Sequence, residues 1–106
     1  MSKDFETVWR EIQSTLKPNL VIPNWTIDNG YFGVAIKISS ISSSVVYVTV
    51  PTAKNIQVVS KNDFEAVWKV WADYKTGRIL RSEVRELTRK SRYVINILHW
   101  LDQKEQ

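Results

Sequence analysis

The 106-residue chain has no cysteine, only three glycines and three prolines, and a single histidine. The lack of thiols excludes disulfides, thiolate nucleophiles and cysteine-based metal sites. Three glycines are too few for a Gly-rich loop that cradles phosphate. The one imidazole, His99, has no sequence-evident nucleophile or orienting acid beside it, so a catalytic or metal role is not expected. No stretch approaches the ~20 apolar residues that a membrane helix requires. The opening residues, Met1 to Glu6, are amphipathic and unlike a secretory signal. These shortages together predict no enzyme, cofactor, metal or membrane span, with cytoplasmic residence as the default.

Acidic residues are scarce in one place. From Lys75 to Arg92 the chain carries Lys75, Arg78, Arg81, Arg85, Arg89, Lys90 and Arg92 against Glu83 and Glu86. Seven positive charges against two negative leave +5, whereas the whole chain is +4, so everything else sums to −1. Local positive charge on ordered structure marks a surface for an anionic partner, most often nucleic acid.

One domain is expected over 1–106, with a helix and antiparallel sheet in 1–60 and a basic helical part in 61–106. Phe5, Val8, Trp9, Ile12 and Leu16 line one face at helical spacing, with Ser2 as cap and Pro18 as stop. From Leu20 the period becomes two. Trp25 and Ile27 alternate, and Asn29-Gly30 suits a two-residue type I′ turn. Phe32, Val34, Ile36 and Ile38 form a half-buried strand, Ser39 to Ser44 a polar link, Val45 to Val50 a strand, and Ile56 to Val59 another. Helices resume after Lys61, with Asn62 and Glu65 as a capping-box pair and Gly77 past the end. Two more are expected over 81–88 and 91–103. The fold class is therefore α+β: an N-terminal helix, a three- to four-stranded antiparallel sheet, then three helices. Asp4–Arg10 also recurs, with two changes, as Asp63–Lys69; this is read as two amphipathic helix starts with acids opposing the helix dipole.

In the first basic helix Leu80, Val84 and Leu87 are expected to face the core. Arg78, Arg81, Arg85 and Arg89 share a neighbouring stripe suited to phosphates. In the last helix Val94, Ile97, Leu98 and Leu101 form the apolar face. Arg92, Asn96, His99 and Gln103 fall opposite them within roughly 60°. Arg and Asn are side chains that read base edges in a major groove. Tyr93 and Trp100 share a flank that could pack on the sheet or seam a homodimer.

Residues 79–98, which include Ser82-Glu83-Val84-Arg85-Glu86-Leu87-Thr88 and the Ser91 start, resemble the helix-turn-helix segment of winged-helix bacterial regulators. Arg85, Arg89 and Lys90 depart from the small, glycine and apolar residues that family favours. The resemblance implies that Arg92, Asn96 and His99 face bases in duplex DNA, while Arg78, Arg81, Arg85, Arg89 and Lys90 lie on phosphates. The functional expectation is a small non-enzymatic DNA-binding protein, for which the resemblance implies a regulatory role. The alternatives are a module that binds an acidic protein, and a ligand-binding domain that uses an aromatic-lined interior.

Overall fold

A computed structural model describes residues 4–31, 33–51 and 55–104. Ser2 and Phe32, assigned above to a cap and a strand, lie outside the described residues.

The first helix, α1 (Phe5–Thr15), starts where the Asp4 carboxylate accepts the Thr7 N–H at 2.8 Å. Its apolar stripe buries Val8, Trp9 and Ile12, with Leu16 just beyond. The Trp9 indole N–H donates to the Ser43 carbonyl at 3.2 Å, and its ring lies 5.5 Å from Phe64. These contacts fasten α1 to a strand turn and to the second helix.

Six short strands follow: β1 (Val21–Ile22), β2 (Trp25–Thr26), β3 (Gly30–Tyr31), β4 (Ile36–Ile41), β5 (Val45–Thr49) and β6 (Gln57–Ser60). Strands β1-β4-β5-β6 make an antiparallel sheet in that order. Ile22, Ile36, Ile38, Val46, Val48 and Val59 are buried on one face, while Val21, Lys37 and Val58 point away. This is the period-two alternation of a sheet covered on one side. The register shifts between Ile38 and Ser40, so β4 continues to Ile41 and the serine link narrows to a turn at Ser42–Ser44. The strand expected from Phe32 forms only from Ile36 onward.

Strands β2 and β3 form a separate two-stranded ribbon with Trp25 opposite Tyr31 and Thr26 opposite Gly30. Its loop is therefore Ile27-Asp28-Asn29. Gly30 has φ 64° while Asn29 has no positive φ. The expected two-residue type I′ turn is thus a three-residue loop with one left-handed glycine, the other common hairpin solution.

The helical half comprises α2 (Lys61–Trp68), α3 (Trp71–Lys75), α4 (Arg81–Leu87) and α5 (Ser91–Lys104). The single helix expected after Lys61 is broken at Lys69-Val70, giving four helices where three were expected. The cap of α2 lies two residues before the expected Asn62. Ser60 Oγ accepts the Asp63 N–H at 3.1 Å, and Asp63 accepts the Ser60 N–H at 2.9 Å. The repeated Asp-Phe-Glu segment therefore starts α1 at its cap but enters α2 three residues late. Helices α1, α2 and α5 close over the buried sheet face, with Phe64, Val67, Val94, Ile95, Ile97 and Leu98 joining the core.

Candidate nucleic-acid interface

The link between α4 and α5 is held from below. Thr88 Oγ1 donates to Asp63 at 2.6 Å and accepts the Lys90 N–H at 3.1 Å. Burial acts to raise the Asp63 pKa, but the Thr88 and Ser60 hydrogen bonds, with help from Lys90, hold it below the usual value. Helix α4 itself starts with the Leu80 N–H donating to Glu83 at 2.6 Å. Only Val84 of its apolar trio is buried; Leu80 and Leu87 are 66% and 47% exposed, which corrects the expected core face. In their place the buried Thr88 and half-buried Arg81 sit against the fold.

Arg81 donates through Nη1 to the buried Ser91 Oγ at 2.9 Å. Burial lowers its pKa; Tyr74 opposes this, and the nearby Arg85 and Arg92 lower it further. Two further guanidinium groups, of Arg85 and Arg92, thus bear on Arg81 with like charge. Arg85 and Arg89 are exposed. Among the described residues the ion pairs are Lys61–Glu6, Lys75–Asp102 and Arg78–Asp73. Arg81, Arg85, Arg89, Lys90 and Arg92 thus have no carboxylate of those residues in ion-pair contact. Arg78 is largely solvated and only loosely paired, at 3.6 Å. Lys90 Nζ reaches across to Gln57 Oε1 at 2.8 Å, tying the link to β6.

The expected base-facing stripe of α5 has a different fate. The β2–β3 ribbon lies across it. Arg92 donates from Nη2 to the Val34 carbonyl at 3.0 Å and from Nε to Asn24 at 3.4 Å, and sits 5.8 Å from the Tyr93 ring. Asn96 is 1% exposed. Its Oδ1 accepts the Trp25 N–H at 2.8 Å and its Nδ2 donates to Asn24 Oδ1 at 2.9 Å. A base-facing role for Asn96 is therefore corrected: its amide replaces a missing strand partner for the ribbon. His99 stacks on Trp25 at 3.8 Å and 5°, and its Nε2 lies 3.1 Å from the Tyr31 hydroxyl. Burial lowers the His99 pKa, Asp102 opposes the shift and Lys75 reinforces it. Of the α5 stripe only Gln103 is fully solvated. Tyr93 and Trp100 are half-buried, with Lys104 4.7 Å from the Trp100 ring.

Structure thus sets Arg85 and Arg92 near Arg81, leaves Arg89 exposed in the link between α4 and α5, and removes Asn96. It adds an aromatic group the sequence reading left out. Tyr31 and Trp25 are cross-strand partners around His99, with Trp71 and Tyr74 edge-on to Trp25 at 6.4 Å. Once the ribbon's register is known, Trp25 and Tyr31 must share a face, because directly opposed residues point the same way. No group of three His, Asp or Glu side chains that could hold a metal occurs among the described residues. No family model matches the chain, and no curated protein or solved structure is found to be similar to it.

Proposed function

We propose that this protein is a non-enzymatic nucleic-acid-binding protein that grips the phosphate backbone with Arg78, Arg81, Arg85, Arg89 and Arg92. The observation that supports the reading is Arg81 with Arg85 and Arg92 near it, none of them in an ion pair with a carboxylate among the described residues. A phosphate would pair with them, and charge-assisted bonds to guanidinium are the strong, bidentate kind. Arg81 keeps four of its five N–H donors after the Ser91 bond, and Arg92 keeps three after its bonds to Asn24 and Val34. In this reading the helix-turn-helix-like pair α4–α5 contributes Arg81 and Arg85 from its first helix and only Arg92 from its second, which otherwise serves the core. A cytoplasmic setting belongs to the same proposal; among the described residues no helix is long and apolar enough to cross a membrane.

The test is fluorescence anisotropy with a labelled oligonucleotide across a salt series. Neutralising about four phosphates gives a log–log slope of roughly −3 to −4. The R85A/R89A double variant should flatten that slope by about 2 and weaken all sequences alike. Both side chains are exposed, so stability should stay within about 0.5 kcal/mol. Absence of binding at low salt and micromolar protein would reject the proposal.

A second reading rests on Leu80, which precedes α4, and Leu87, at its end, both exposed beside the arginines of that helix. An acidic amphipathic segment of another protein would meet both the apolar pair and the cations. L80S/L87S would then abolish partner capture while leaving oligonucleotide binding unchanged.

A further inference from the structure

Resting on the backbone-gripping role proposed above, we infer that the preferred ligand is single-stranded and that Tyr31 is the platform on which one of its bases stacks. Tyr31 is 62% exposed, yet it is fixed in place. Its hydroxyl meets His99 Nε2 at 3.1 Å and its ring stands edge-on to the imidazole at 5.6 Å. That imidazole is in turn clamped flat against Trp25. A ring held this way loses little freedom when a base settles on it, which favours binding.

The platform continues the cationic track. Arg92, Asn96 and His99 follow one another along α5, so the Arg92 and His99 positions are about 10 Å apart. The ribbon and the segment that follows it bridge that distance: the Val34 carbonyl, between β3 and β4, is on Arg92, and Tyr31 of the ribbon is on His99. Ile27 in the ribbon's loop and Val34 just beyond it, 38% and 41% exposed, add apolar surface. Guanidinium groups followed by an exposed ring are the pairing used for single strands, where phosphates meet cations and unpaired bases meet π-faces. A duplex cannot use the ring, because its bases are stacked on one another. Nor is there a free recognition helix for a major groove, since α5 buries Asn96 along with Val94, Ile95, Ile97 and Leu98.

The experiment compares a labelled 15-nucleotide thymidine strand with a random duplex of equal length, for the full chain and two variants at Tyr31. Single strand should bind more tightly than duplex. Y31A should weaken the single strand by about fivefold or more and leave the duplex unchanged. Y31F keeps the ring and loses only the hydroxyl, so it should retain most of the single-strand affinity. Equal affinity for both ligands, or no effect of Y31A, would overturn the inference while leaving backbone binding intact. Losses in Y31F as large as in Y31A would also overturn it, because they would assign Tyr31 to anchoring the ribbon. Binding of neither ligand would remove the parent proposal and this one together.

Discussion

Asn96→Ala is expected to behave as a core mutation, although the residue type and helical position suggest a surface contact. The side chain supplies the acceptor for the Trp25 N–H and a donor to Asn24, both across an interface that water barely reaches. Two hydrogen bonds at about 0.5–1.5 kcal/mol each are lost, and a partly buried backbone N–H is left without its acceptor, at about 1–3 kcal/mol. These overlap, so the expected loss is about 2–4 kcal/mol. For a domain near 100 residues that lowers Tm by roughly 10–25 °C. Thermal unfolding followed by far-UV circular dichroism measures it directly. The aromatic near-UV signal should also change in the folded state, since Trp25 and His99 lose the tie beneath their stack. A base-reading Asn96 would give the opposite pattern, with Tm unmoved and affinity lost at one preferred sequence. A change within about 0.5 kcal/mol would refute the argument that the ribbon depends on this amide.

His99 gives a pH signature. Its folded pKa lies below the unfolded value of 6.5, so the unfolded chain binds more protons near that pH. Its contribution is complete above about 6.5 and declines as pH falls through the folded pKa. The urea midpoint should therefore drop between pH 7 and 5, and His99→Gln should remove much of the drop; an unchanged drop would assign it to other groups. Asp63→Ala removes the acceptor shared by Ser60 and Thr88 and should cost about 2 kcal/mol by urea titration, with Thr88→Val non-additive in the double variant. The Asp63 carboxyl, held below 3.8, lends stability above that value and loses it as pH falls below it. The salt-slope change in R85A/R89A and the contrast between Y31A and Y31F complete the set.

Elements whose signal is local were legible. In α1 the spacing of Val8, Trp9, Ile12 and Leu16 coincides with the buried stripe, and β5 (Val45–Thr49) falls within the strand expected from Val45 to Val50. Partnerships between distant segments were not. Asn96 and Trp25 are 71 positions apart, and a helical wheel shows that polar groups share a side without showing what covers them. Leu80 and Leu87 misled for a related reason: a seven-residue helix can be held by Val84 and its flanking Thr88 alone. Neither glycine nor proline marks the break at Lys69-Val70, so nothing in the residue types announced it.

The tie from Trp9 to Ser43, with the ring of Phe64 behind it, sets an order of events during synthesis. An eleven-residue helix is marginal in water by itself. Its indole must wait for a carbonyl 34 positions downstream, and for a phenyl ring later still, before it gains lasting neighbours. Helix α1 thus leaves the ribosome before the partners that hold it, and until they follow its greasy side stays uncovered.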